Sequence, residues 1–232
     1  MKNFKIKSYC KINLSLRVIK KLNNNYHNII SLITFCDLHD VISISKTKSL
    51  KDKISFSGKF KKGINKKSNT VTKILNLLRR AKLLGNQAFK INIQKNIPHG
   101  SGLGGGSSNA ADLLNYLAYS WIDRGIKLDK GLKMLKKATE LRKNDGYIID
   151  SLGWAYYAKK NYIEAEFFLQ KAVELLPSDP IINDHYADTL WMLNKNIQAR
   201  YIWNNILKLN SIEQKMKDAI RKKLIFGITT QL

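Results

Sequence analysis

Near residue 110 the apolar pattern of this chain changes period and does not change back. Upstream, apolar and polar residues alternate in short runs: Phe4 to Ser8, Ile12 to Val18, Val41 to Ser45, Ile54 to Phe56 and Phe89 to Ile93. Alternation with period 2 is how a strand puts one side in a core and the other in water. One stretch departs from it. From Asn69 to Leu84, the residues Val71, Ile74, Leu75, Leu77, Leu78 and Leu83 fall on one helical face. Downstream of residue 110 no alternating run remains and the apolar spacing is helical throughout. The switch predicts an α+β domain followed by an all-α array. A length of 232 residues leaves each part room for its own core.

The bulk composition, 44% apolar and 25% charged with 3 prolines, is that of a soluble globular chain. No apolar run is long enough to span a membrane. Met1 to Arg17 alternates where a signal peptide would carry a continuous apolar core, so the cytoplasm is the expected compartment. Cys10 and Cys36 are far apart in sequence, have no metal-ligand spacing and read as reduced core residues. The net charge of +24 favours anionic partners. The lysines are spread over the whole chain, however, and the abundance of Lys, Asn and Ile matches an AT-rich coding sequence. Anionic small molecules are therefore expected as ligands, and nucleic acid is not. The densest basic run, Lys59 to Lys67, reads as a solvated loop.

The helical part repeats with a period of about 34 residues. Leu152-Gly153, Tyr156, Ala165, Leu169, Ala172 and Pro177 recur as Tyr186-Ala187, Leu190, Ala199 and Trp203. An earlier copy, with one extra residue in its turn, is Leu117-Ala118, Trp121, Gly131, Leu135 and Ala138. Small residues at Gly153, Ala165 and Ala172 let paired helices approach, and Trp121, Tyr156 and Trp203 fill the space between them. This pattern resembles tetratricopeptide repeats, about three of them over residues 111–211. Ile212 to Phe226 is amphipathic and suits a capping helix, with the tail running to residue 232. The repeat defines a scaffold and leaves the ligand of its concave groove, a protein or peptide, undetermined.

Between the two patterns lies Pro98-His99-Gly100-Ser101-Gly102-Leu103-Gly104-Gly105-Gly106-Ser107-Ser108-Asn109-Ala110-Ala111. It follows a strand signal and leads into a helix signal. Glycines let a backbone approach an anion, and successive amides at a helix N-terminus supply the field that holds phosphate. A P-loop needs Lys-Ser or Lys-Thr after its last glycine, and Gly106 is followed by Ser107. The dinucleotide pattern is present as Gly100, Gly102 and Gly105, but no acidic residue ends a second strand downstream to take the ribose. A protein-kinase glycine loop would lead into a hairpin.

The stretch resembles the central glycine-rich motif of the GHMP superfamily of small-molecule kinases. Within that superfamily it is most similar to the kinases of the non-mevalonate isoprenoid (terpenoid) pathway that phosphorylate a cytidine-diphosphate sugar alcohol. Cys10-Lys11-Ile12-Asn13-Leu14 resembles their opening strand. Tyr26-His27, followed by Ile30, Ser31 and Leu32, resembles their Gly-Tyr-His element, with Asn25 in place of the glycine. The three motifs stand in the family's order within residues 1–117.

The resemblance implies the GHMP-kinase fold, which is like domain 2 of ribosomal protein S5, with ATP and Mg2+ as cofactors. It implies ATP binding by Pro98, His99, Gly100, Ser101, Gly102, Leu103, Gly104, Gly105, Gly106, Ser107 and Ser108, with Ser107 or Ser108 reaching a phosphate or the magnesium ion. Lys11 would be the catalytic residue that polarises the accepting hydroxyl. Asn13 would orient the substrate, and Tyr26 and His27 would hold the cytosine. The family's catalytic aspartate, in a Gly-Ala-Asp-Val-Pro element, has no counterpart after Leu117. Asp112, Asp123 and Asp129 are the nearest acids, and they fall in repeat helices or turns. No counterpart of the family's second domain follows either. An impaired kinase and a repeat scaffold carrying a relic or nucleotide-sensing half-domain are both open on the sequence. One helix, about Ser108 to Arg124, would serve both modules.

Overall fold

The computed structural model describes residues 4–21, 27–49, 51–209 and 212–228, with backbone alone at residues 27–29, 33 and 35. The chain divides into two compact units, Met1–Leu113 and Leu114–Leu232.

The first unit is a four-stranded sheet in the order β1-β2-β4-β3, with one helix between its last two strands. The strands are β1 (Phe4–Lys21), β2 (His27–Thr47), β3 (Lys53–Ser57) and β4 (Ala88–Gln94), and the helix is α1 (Thr70–Arg80). β1 with β2 and β2 with β4 are antiparallel; β3 and β4 run parallel. A parallel neighbour needs a crossover, and α1 supplies it. Ile42, Ile44, Ile91 and Ile93 of the sheet and Val71, Leu75 and Leu78 of α1 are buried and form the core.

The two runs Phe4 to Ser8 and Ile12 to Val18 are one strand. The ladder shifts register between Tyr9 and Lys11, and the alternation read from sequence breaks at that bulge. β2 begins well before Val41, because its first half belongs to a hairpin that leaves the core. There Leu14, Leu16, Ile30 and Leu32 are 55 to 62% exposed. At the same bulge Cys10, which is buried, makes a side-chain hydrogen bond with Cys36, which is part-exposed. Burial first, and then that contact, push the Cys10 thiol above its ordinary value and keep it protonated.

α1 stops at Arg80, short of the Leu84 that the apolar spacing predicts. Ala81 caps it and Lys82 turns left-handed at φ 54°. Asn69 starts it, its side chain accepting from the Thr72 amide at 2.9 Å. Arg79 ties the far end to the sheet. It reaches both Asp52 oxygens at 2.9 and 2.7 Å, and Asp52 accepts from the Phe89 amide at 2.8 Å.

Helix α2 (Gly105–Ile122) carries the chain across the division between Leu113 and Leu114. The second unit continues as α3 (Leu128–Leu141), α4 (Gly146–Ala158), α5 (Tyr162–Leu175), α6 (Pro180–Met192), α7 (Asn196–Leu207) and α8 (Gln214–Phe226). No strand occurs among its described residues. The repeated small residues act as their spacing predicts. A Cβ on Gly153 would stand 2.6 Å from Leu169 Cγ, and one on Gly131 would stand 2.7 Å from Ile122 Cδ1. Ala165, Leu169, Ala172 and Trp203 are fully buried. Among the described residues no helix is long and apolar enough to cross a membrane.

Candidate functional site

β4 ends at Gln94, and the chain then turns on a carboxylate from another strand. Asp40, in β2, is fully buried. Its Oδ1 accepts from the Asn96 amide at 2.8 Å and the Ile97 amide at 2.9 Å. Its Oδ2 accepts from Asn109 Nδ2 at 2.9 Å and from the ammonium of Lys95, itself 3% exposed. One carboxylate thus holds the residues just before the glycine stretch and the first turn of the helix after it.

Between those ends, Gly100, Gly102 and Gly104 have φ of 72°, 76° and 75°. L side chains rarely enter that region, so every second residue of the loop has to be glycine. At Gly105 and Gly106 the constraint is space. A Cβ on Gly105 would be 3.2 Å from Ile97 Cγ2 and from Lys95 Nζ, and one on Gly106 would be 2.9 Å from Thr70 Oγ1. α2 begins here, with the Ser108 amide donating to the Gly104 carbonyl at 2.8 Å. The amides of Gly105 and Gly106 precede any carbonyl the helix offers, and the positive end of the helix dipole lies at this point.

The loop also docks on β1, where the Lys11 amide donates to the Leu103 carbonyl at 3.2 Å. The Lys11 stem lies along Gly104, with Cγ and Cε at 3.4 and 3.5 Å from where a Cβ would be. Lys11 is therefore beside the start of α2. Asn13, two residues on, shares its side of the strand and is exposed. Tyr26 lies outside the described residues. The His27 backbone pairs with Lys21 at the far end of the hairpin, about 30 Å along the strand from Lys11. The fold does not bring His27 to the loop.

A cleft of about 450 Å³ opens beside the loop. One wall is the stretch Pro98 to Ser107, of which His99 and Gly100 to Gly102 are exposed. The other is Ser68, Asn69 and the first turn of α1, with Gly63, Ile64 and Asn65. These last three come from the lysine-rich run expected to be only a solvated loop. A Cβ on Gly63, at φ 82°, would stand 3.1 Å from His99 Nε2, so this segment packs on the glycine loop. Lys95 and Asn109 line the floor, and Asn109 Oδ1 is buried there without a partner. Among the described residues, no aspartate or glutamate lines the cleft, and no cluster of three or more metal-ligating side chains occurs anywhere. Sequence reasoning missed Asp40, Lys95, Asn109 and Asn65. Asp40 carried no distinct signal: Asp37 and His39 stand beside it in the same strand.

Residues 69–151 match the family model of the GHMP kinases N terminal domain, and residues 147–179 match that of the tetratricopeptide repeat. The first match thus runs past residue 117, the last residue the motifs cover, and into α3 and α4. The chain is 52% identical over 116 residues to the 4-diphosphocytidyl-2-C-methyl-D-erythritol kinase of Pelagibacter ubique (strain HTCC1062), which covers 50% of this chain and 41% of that one. The chain spans 40 to 59% of the length of the curated relatives it matches, about two fifths of the Pelagibacter kinase. Among solved structures, a 4-(cytidine 5'-diphospho)-2C-methyl-D-erythritol kinase aligns at TM-score 0.42 and 24% identity, over 56% of this chain and 46% of that chain. The first TPR of Spaghetti bound to an HSP90 peptide aligns at TM-score 0.43 and 20% identity, over 48% of this chain and 88% of its own. The chain is thus similar to a sugar-alcohol kinase in one part and to tetratricopeptide proteins in another.

Proposed function

We propose that residues 1–117, given this likeness, form a nucleotide-binding module that takes ATP with Mg2+ in the cleft beside the glycine loop. The observation that carries this reading is the convergence of three left-handed glycines and the α2 N-terminus on one opening, with the Lys11 stem packed against Gly104 of the same loop. The nucleotide would supply the γ-phosphoryl group, and Mg2+ the charge that offsets it. The amides from Gly102 to Ser108 would hold the phosphates, and Ser107 or Ser108 would offer a hydroxyl to a phosphate or the ion. Lys11 would supply an ammonium to steady the accepting hydroxyl and the charge in transfer, while Asn13 would orient the acceptor. The acceptor class follows from the relative's name: a hydroxyl of a cytidine-diphosphate sugar alcohol. Tyr26 and His27 retain a role toward the cytosine only through the resemblance.

Binding without efficient transfer is the expected behaviour. Phosphoryl transfer in this arrangement needs a carboxylate to take the hydroxyl proton. The cleft offers none, and both oxygens of Asp40 are committed to the loop. Calorimetric titration of the purified chain with ATP·Mg should give a saturable heat that Gly104→Val removes. Absence of binding at millimolar nucleotide sinks the module. A coupled assay with the cytidylated substrate should show turnover far below that of the Pelagibacter kinase; equal turnover refutes the impairment.

A second reading has its own observation. Ile163 and Phe167 of α5 recur one repeat later as Ile197 and Tyr201 of α7, and all four are 66 to 85% exposed. Repeated apolar exposure on an array favours a protein-binding scaffold. In that case the first unit is a relic, and the titration gives no heat, or a nucleotide sensor, and it gives heat without turnover. In both readings the chain works in the cytoplasm.

A further inference from the structure

The glycine stretch has little of its own to hold it in one shape beyond the Ser101 hydroxyl donating to the Pro98 carbonyl at 2.9 Å. It has five glycines between Gly100 and Gly106, and glycine gives up more backbone freedom on ordering than any other residue. A phosphate cradle works only if its amides already point at the ligand. The residue that fixes them is not in the loop. Asp40 lies 55 residues before Lys95 and 69 before Asn109, yet its carboxylate takes hydrogen bonds from both. Through the Asn96 and Ile97 amides it also sets where the chain leaves β4.

We infer that Asp40 is a positioning residue of the nucleotide loop, holding the loop's entry and the first turn of α2 at one point. This deepens the nucleotide reading above and rests on it for the identity of the ligand.

The chemistry requires a carboxylate. Four donors meet two oxygens, which an ionised carboxylate accommodates. An asparagine has a single oxygen and would turn an NH2 group against the Lys95 ammonium or Asn109 Nδ2. Lys95 supplies the compensating charge, so that the carboxylate can stay buried. It also stands under the first residue of α2, with Nζ 3.2 Å from where a Gly105 Cβ would be. Asn109 is the tether on the helix side. It is 2% exposed, with one amide proton on Asp40 and its Oδ1 left unpaired at the cleft floor. Shifting any of the three moves the amides that face the phosphates; Lys95 and Asn109 also line the cleft floor, so loop-amide exchange without nucleotide is the readout that isolates positioning.

The competing role is structural only, with Asp40 present merely to neutralise a buried lysine. Two variants of the full chain separate them. Asp40→Asn/Lys95→Met removes both charges, so its melting midpoint should return toward wild type from that of Asp40→Asn alone. ATP·Mg should nevertheless bind it about tenfold more weakly, the scale of one lost hydrogen bond to a charged group. Its amides from His99 to Gly106 should exchange with solvent about tenfold faster in the absence of nucleotide. Recovered stability with wild-type affinity and wild-type exchange overturns the inference.

Asn109→Leu keeps the Asp40–Lys95 pair and the fold and cuts only the helix-side tether. It should speed exchange at Gly104 to Ser108 and leave Asn96 and Ile97 protected; unchanged exchange again overturns the inference. This variant decides the question if the double variant does not fold. Failure of wild type to bind ATP·Mg refutes the nucleotide reading instead, and the exchange rates still decide whether Asp40 positions the loop.

Discussion

His185 is 8% exposed, its ring stacked on Trp154 at 4.0 Å and its Nδ1 2.9 Å from Asp150 Oδ1. Burial alone would lower its pKa. The Asp150 carboxylate, followed by Asp184 and Asp188, outweighs burial and holds it above the ordinary value. Asp188 is pushed up to about 7, first by burial and then by Asp184, against the pull of Lys223. Both groups bind their protons more tightly folded than unfolded. Their contribution is therefore full below the unfolded pKa values and is lost as pH rises through the folded ones. The helical unit should accordingly melt at a lower temperature at pH 8 than at pH 6, followed by circular dichroism, and His185→Gln should flatten the difference. A midpoint that rises with pH contradicts the assignment. The repeat read from the sequence did not reveal the Asp150–His185 pair, which forms only when α4 and α6 lie side by side. The cleft beside the glycine loop divides in the same way. The glycines were legible because their chemistry is contiguous, and Lys11 only through the resemblance of the short motif around it. Asp40 and Lys95 were not, because each looks ordinary alone.

The helices of the array start by a recurring device. Asp145 accepts from the Tyr147 and Ile148 amides at 3.0 and 3.1 Å. Asp179, one repeat later, does the same for Ile181 and Ile182 at 3.0 and 3.1 Å. Each satisfies two of the amides a helix N-terminus leaves open. Asp145 also pairs with Arg142, so Asp179 is the cleaner probe. Asp179→Ala should cost about 1 kcal/mol, read as a lower denaturant midpoint with an unchanged slope. A loss below a few tenths would mean that Pro180 at the start of α6 suffices. Strand and helix ends were less legible than their centres. β1 reads as two runs because a bulge inverts the alternation at Cys10, and α1 ends early because Lys82 turns left-handed. Both are single-residue backbone events inside otherwise regular apolar spacing. The exposed half of the β1–β2 hairpin was illegible for another reason: its Leu and Ile residues read as core, and no core lies there among the described residues of the first unit.

At the scale of the whole molecule, two compact units meet within one helix, α2. A ligand of one unit should stabilise that unit and leave the other alone. ATP·Mg at about a hundred times its Kd stabilises the unit that binds it by about 2.7 kcal/mol. Differential scanning calorimetry should resolve two transitions, with nucleotide raising the midpoint of one only. A single transition that moves as a whole would mean that α2 couples the units into one cooperative block. The sequence by itself determined the change from sheet to helical array near residue 110, the 34-residue period and the glycine stretch between them. These are periodic or contiguous signals, and period and contiguity survive in one dimension. The tertiary structure alone decided which acid holds that stretch, which thiols meet, and that the lysine-rich run lines the cleft. Those pairings depend on strand register and on one bulge, which bring together residues 55 and 69 positions apart. A one-residue slip would turn each of those side chains to the opposite face.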